Sequence, residues 1–173
     1  MGSDHKTAIM DASSAIILGK ADLHLRVAEM YNVVMPESVY CEITGNAYPA
    51  AEKYKRLLTD KKITVQKIDP GITDQPGMVK LDQGEYDVLR LYYAGYGDFV
   101  ITDDGAAARY CKRENIPFIN ALLVPLILSF TDTMGKNKYN QAYRKILAIG
   151  RYSSAVISFA DRCDRDKLLN FMP

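Results

Sequence analysis

The stretch Phe99-Val100-Ile101-Thr102-Asp103-Asp104-Gly105 constrains this chain more than any other. It opens as an apolar run short enough for a strand buried on both faces, as parallel sheets require. Two adjacent carboxylates close it, and a helix-compatible segment, 105–115, follows directly. Open α/β sheets bind ligands in the crevice at the carboxyl ends of their strands. A strand ending on two acids is therefore half of a site. The other half should be acids elsewhere in the chain that reach the same edge.

The remaining segments repeat this alternation. Lys6–Met10 reads as a strand ending on Asp11, followed by helical stretches over 13–18 and 21–31. Asn32–Met35 is a second strand, and Pro36 suits the first turn of a helix over 37–45. A further helix is expected over 48–59, then an alternating, half-exposed edge strand over 63–68. Pro70, Gly71, Pro76 and Gly77 mark 69–79 as a loop. Leu81-Asp82-Gln83-Gly84-Glu85 opens the helix that precedes Phe99. Pro117–Ile119 is a last short strand, 120–130 a strongly apolar helix, and 138–171 helical in pattern. Alternating strands and helices imply a parallel α/β sheet with right-handed crossovers. One domain over 6–130 is expected, with a helical C-terminal extension, 131–173, packed on it; 173 residues suit that size.

Composition removes several functions. A net charge of +1 argues against a histone-like polycation. No apolar run approaches the roughly 20 residues that span a bilayer, and the N-terminus shows no apolar secretory segment. Cys41, Cys111 and Cys163 form no CxxC pair, so neither a disulfide framework nor a zinc knuckle is supported. A cytoplasmic setting follows as the simple expectation. The only histidines are His5 and His24, which leaves the chain carboxylate chemistry.

Four places put a carboxylate where a strand ends or a helix begins: Asp11, Glu42, Glu85 and the Asp103/Asp104 pair. Singly, each has a structural explanation. Asp11 and Asp104 can cap the helices after them. Asp82 and Glu85 have capping-box spacing, and Glu42 can complement a helix dipole. Together they converge on one sheet edge. Crowded carboxylates raise one another's pKa, and a hard cation such as Mg²⁺ or Mn²⁺ offsets that repulsion. Such an ion holds phosphates and acidifies water, giving a nucleophile without histidine.

At these residues the chain resembles the PIN-domain family, metal-dependent ribonucleases that include VapC-type toxins and RNA-processing nucleases. The resemblance runs in order through Ile9-Met10-Asp11-Ala12-Ser13, Val39-Tyr40-Cys41-Glu42-Ile43, Leu81 to Leu89, and Val100-Ile101-Thr102-Asp103-Asp104. It implies a three-layer α/β/α fold around a central parallel sheet. It also implies a Mg²⁺- or Mn²⁺-dependent endoribonuclease, acting as a toxin or in RNA processing. Catalytic acids fall on Asp11, Glu42, Glu85 and Asp104, with Asp103 the alternative metal ligand to Asp104. Ser13 and Thr102 match supporting hydroxyls. An RNA substrate, a partner antitoxin protein and a homodimer belong to the same implication; a membrane does not.

Other residues carry secondary readings. Arg109, Lys112 and Arg113 can position a phosphate backbone without reading bases, or form a solvated helix face. The basic run from Lys53 to Lys62 reads as solvated surface. Tyr92, Tyr93 and Tyr96 suit packing more than base stacking. His24 reads as a partly buried structural histidine, Cys41 as packing, and Asn120 as a helix cap. The apolar helix after Asn120 is core or a dimer interface. Two other functions compete: a catalytically silent PIN-like RNA- or protein-binding module, and a phosphatase-like hydrolase with Asp11 as nucleophile. The second wants an Asp where Ser13 stands.

Overall fold

A computed structural model describes residues 5–45, 48–74, 78, 81–131 and 133–173. Met1–Asp4, and Pro76, Gly77 and Val79 of the expected loop, lie outside them. Five strands, β1 (Thr7–Met10), β2 (Asn32–Pro36), β3 (Ile63–Gln66), β4 (Phe99–Ile101) and β5 (Phe118–Ile119), build one sheet. Its order is β3-β2-β1-β4-β5, and every pairing is parallel. The chain winds outward from β1 to β3, then returns to lay β4 on the other side of β1. The winding thus reverses between β1 and β4. That reversal opens a crevice at the carboxyl ends of the two strands.

Strand alternation explains why both faces are dry. Ala8, Met10, Val33, Met35, Phe99 and Ile101 join one apolar cluster, while Ile9, Val34 and Val100 join the other. The first is covered by α1 (Ala12–Lys20), α2 (His24–Met30), α4 (Ala51–Thr59), α7 (Val124–Phe130) and α8 (Lys136–Ile149). The second is covered by α5 (Gln83–Tyr93) and α6 (Gly105–Arg113). The helix α3 (Glu37–Gly45) straddles the edge, giving Val39 to one cluster and Ile43 to the other. The result is a three-layer α/β/α fold.

Several boundaries differ from the sequence reading, each for a local reason. The helix expected over 21–31 starts only at His24, because Asp22 takes a left-handed φ of 62° between α1 and α2. Asp tolerates that conformation better than most residues. Pro36 closes β2 in register with Gln66 rather than opening α3. Its missing N–H falls beyond the β1 pairing, whose last pair is Ile9 and Val34. The helix expected from Tyr48 begins at Ala51, after Pro49. The strand expected over 63–68 stops at Gln66, and it is an edge strand.

The apolar segment after Asn120 is core. Asn120 Oδ1 accepts from the Leu123 amide at 3.3 Å, a 3₁₀ turn (Ala121–Leu123) follows, and α7 then buries Val124, Ile127 and Leu128. The helix α8 packs over α7. Lys53, expected in a solvated run, instead donates to the Gly19 carbonyl at 2.7 Å and to Asp22. Lys145 of α8 donates to the same carboxylate at 2.6 Å, and the two ammonium groups hold Asp22 down at about 2.

The segment after α8 is not one helix. It breaks at Gly150, resumes as α9 (Ser154–Asp161), and ends in a 3₁₀ turn (Asp166–Phe171). That last turn closes the amino end of the sheet. Phe99 stands edge-on to Tyr31 at 5.1 Å and to Phe171 at 5.2 Å. The Tyr31 hydroxyl donates to the Phe171 carbonyl, and Lys6 Nζ donates to the Met172 carbonyl at 2.8 Å. Tyr31→Phe is therefore expected to cost about 1 kcal/mol, the usual net value of such a bond. A lower midpoint in urea unfolding, with the slope unchanged, checks it.

Candidate active site

The acids ending β1 and β4 are locked in place by short local bonds. The Asp11 amide continues the ladder by donating to the Ile101 carbonyl at 3.1 Å. Its side chain caps α1, with Oδ1 accepting from the Ser14 amide at 2.8 Å. Thr102 Oγ1 donates to Oδ2 at 2.5 Å, and the Ser13 hydroxyl lies 2.8 Å from the same oxygen. Asp11 is only 2% exposed. Burial outweighs these three donors, so its pKa rises to about 6, with the nearby Asp103 charge adding to the rise. Capping and function are here compatible: one side chain does the first while facing the cleft.

Asp103 and Asp104 divide sharply. Asp104 caps α6, its Oδ1 accepting from the Ala106 amide at 2.6 Å and the Ala107 amide at 2.9 Å. Its own amide donates to Thr102 Oγ1 at 3.2 Å. Asp104 lines the cleft, as do Asp11, Ser13, Glu42, Asp82 and Glu85. Asp103 does not line it. Its Oδ2 accepts from Ser14 Oγ at 2.7 Å and the Ala121 amide at 2.9 Å, and its Oδ1 from the Tyr152 hydroxyl at 2.5 Å. Both of its oxygens are occupied away from the cleft.

The opposite wall comes from the first turn of α5 and from α3. Asp82 and Glu85 form a complete capping box: Asp82 Oδ1 accepts from the Glu85 amide at 3.0 Å, and Glu85 Oε2 from the Asp82 amide at 3.3 Å. Glu85 also shares a hydrogen bond with Asp104. Burial, that bond and the Asp104 charge lift Glu85 to about 8, so it holds a proton at neutral pH. Glu42 is raised as well, by burial first and then by Asp82. Gly84 lets the two walls approach: a Cβ there would sit 3.3 Å from Val39 Cγ2 and 3.6 Å from Glu42 Oε2. Asp87 ties the same helices together, accepting from Ser38 Oγ at 2.6 Å and Gln83 Nε2 at 2.9 Å.

The cleft encloses about 210 Å³. Its donors are all oxygen, the set that a hard divalent cation prefers. Burial, with neighbouring carboxylate charge adding to it, has raised Asp11, Glu42 and Glu85, and a bound cation would offset that cost. In that sense the residues fit one. Among the described residues, however, no three His, Cys, Asp or Glu side chains are grouped closely enough to hold a metal ion as they stand.

The basic and aromatic residues separate by position. Arg109 folds back on the first turn of α6, where a Cβ on Gly105 would sit 3.2 Å from its Nη1. Lys112 and Arg113 lie two turns or more along α6, a rise of about 12 Å or more from Asp104 at ~1.5 Å per residue. Arg113 bonds Glu114 at 2.6 Å and covers the Tyr110 ring at 4.9 Å. Tyr93 meets the Tyr110 hydroxyl at 3.3 Å and Tyr92 edge-on, so this cluster packs at the end of α5 opposite Glu85. His24 lies beside Tyr54, ring centroids 6.1 Å apart, and is remote from the cleft. Cys41 is exposed rather than packed.

Three participants went unrecognised in the sequence. Asp82 was legible as a cap, and the turn that makes it one also makes it line the cleft. Asp87 falls on the buried stripe of α5 with Gly84, Val88 and Leu91, so an acid at helical spacing among apolar positions was its signal. Tyr152 carried none, being 49 residues from its partner.

A family model described as a PIN domain matches residues 7–156, most of the chain. No curated protein matches it.

Proposed function

The chain belongs to the PIN-domain family, a nuclease-type fold, and from that premise we propose that it is a Mg²⁺- or Mn²⁺-dependent endoribonuclease. The observation that carries the reading is the convergence of Asp11, Glu42, Glu85 and Asp104 on one cleft at the reversal point of the sheet. Asp11 and Asp104 would hold the cation, with Glu42 and Glu85 on the facing wall. When bound, such an ion would offset the carboxylate charge, hold phosphate oxygens and acidify water for in-line attack.

The chain's own residues supply orientation and proton control. Ser13, Ser14 and Thr102 aim Asp11 through both of its oxygens. The α6 amides fix Asp104 through Oδ1, and its carboxylate also meets Glu85 across the cleft. Glu85 retains a proton beside Asp104 at neutral pH and would surrender it when a cation arrives. Arg109, at the same helix end, would meet the RNA backbone as a point of charge without reading sequence. Asp103, Lys112 and Arg113 touch neither cation nor RNA in this scheme. A toxin paired with an antitoxin, or an RNA-processing enzyme, is the setting proposed; a homodimer is proposed with it, by family analogy.

The test is incubation of end-labelled single-stranded RNA with the protein in Mn²⁺ or in EDTA. Internal cleavage confined to the Mn²⁺ reactions is expected. Intact RNA in both, together with no calorimetric Mn²⁺ binding, would leave a silent PIN-like module.

A further inference from the structure

The segment after α8 sends one side chain to the acidic edge from outside the four acid-bearing stretches. We propose that Tyr152 is a positioning residue of the cleft: it holds Asp103, and thereby the Thr102–Asp104 turn, so that Thr102 meets Asp11 and Asp104 faces the cation. This deepens the nuclease reading and rests on it.

Asp103 is the keystone of that turn. Its carboxylate accepts from α1 through Ser14, from the start of the 3₁₀ turn before α7 through the Ala121 amide, and from the C-terminal segment through Tyr152. Its amide donates to Ser13 Oγ at 3.2 Å. Oδ1 has the Tyr152 hydroxyl as its donor at 2.5 Å. The residues on either side do the site's work: Thr102 bonds Asp11, and Asp104 lines the cleft. Without the phenol, an enclosed oxygen loses its bond, and the turn loses the tie that opposes Ser14 and Ala121.

Tyr152 is itself held in place. Its ring lies against Gly150, where a Cβ would stand 2.3 Å from Cε2 and 2.8 Å from Cζ. The Gly150 φ is an ordinary −82°. The glycine is therefore required for space, not for backbone conformation. Gly150→Ala keeps the phenol and pushes it off Asp103, a second handle on the same contact.

The experiment uses the full chain as wild type, Tyr152→Phe, Gly150→Ala, Asp103→Asn and the Tyr152→Phe/Asp103→Asn double variant. Mn²⁺ affinity is measured by calorimetry without RNA, cleavage by kcat and KM, and folding by thermal unfolding. Residues that orient metal ligands typically change affinity by about 10–100-fold. Tyr152→Phe and Gly150→Ala should each weaken Mn²⁺ by at least about tenfold, within that range. The kcat should fall with little change in the KM for RNA. The double variant should bind no more weakly than Asp103→Asn alone, since the phenol acts through that carboxylate. Should Tyr152→Phe fail to fold, Gly150→Ala carries the same comparison. Wild-type Mn²⁺ affinity in the folded single variants, or additive losses in the double variant, would overturn the proposal alone. A wild-type protein that neither binds Mn²⁺ nor cleaves RNA would overturn the nuclease reading and this one with it.

Discussion

Asp11→Asn should reduce metal-dependent RNA cleavage by about 10²–10³-fold, the scale lost when a preorganised charge-stabilising group is removed, while making the metal-free protein more stable. The two halves have one cause. Asn reproduces the shape of the side chain, caps a helix as well as Asp does, and can still accept from the Ser14 amide that bonds Oδ1. Its amide nitrogen faces Thr102 Oγ1, which can accept in place of donating. What disappears is the buried charge. Asp11 is raised from 3.8 to about 6 chiefly by burial, which at ~1.36 kcal/mol per pKa unit is about 3 kcal/mol of ionisation cost at neutral pH. Recovering about 1–3 kcal/mol of it would lift the melting temperature by several degrees, at roughly 2–4 °C per kcal/mol for a chain of this size. Thermal unfolding in EDTA at pH 8, set beside cleavage in Mn²⁺, checks both. A variant that cleaves as well as wild type ends the assignment of Asp11; one that cleaves poorly because it melts lower would show a structural acid instead.

The same economy of local geometry explains what the sequence could reveal. Asp11 and Asp104 each close a strand and cap the following helix, so chain order alone carried both to the edge between β1 and β4. The Asp82–Glu85 capping box was likewise legible at a spacing of three residues. The division of labour between Asp103 and Asp104 was not, since it depends on partners far away: Ala121 is 18 residues on and Tyr152 is 49. Periodicity separated α1 from α2 but started the second helix at 21, because a single left-handed residue, Asp22, delays it to His24 without any apolar signal. How far each basic residue of α6 lies from Asp104 was, by contrast, legible from spacing alone. Arg109 sits one turn from Asp104, and Lys112 and Arg113 two or more.

The metal-free protein should lose stability as pH rises from about 4 to about 8, and saturating Mn²⁺ should abolish that loss. Asp11 and Glu85 are both raised, from 3.8 to about 6 and from 4.5 to about 8. Across that interval the folded chain keeps protons that the unfolded chain has released, so the slope of stability against pH is negative. Their contribution is complete below the ordinary carboxylate range; the Asp11 share is gone by about pH 6 and the Glu85 share by about pH 8. Asp103 and Glu42 are raised too and act in the same direction. His24, lowered by burial and by Lys53, opposes them near its ordinary value of 6.5. Asp22, lowered to about 2, lies outside the interval. The Asp11 share alone is worth about 3 kcal/mol, while solvent screening makes that of Glu85 smaller than its shift suggests. Thermal unfolding in EDTA should therefore fall by several degrees between pH 4 and pH 8, and Glu85→Gln should flatten the limb from pH 6 to pH 8. Because a cation binds only deprotonated ligands, its stabilising effect grows with pH and runs against the proton linkage. A metal-free melting temperature that stays level or climbs through pH 8 would mean that burial and neighbouring charge do not hold protons on these carboxylates, and the electrostatic reason for a cation in this cleft would go with it.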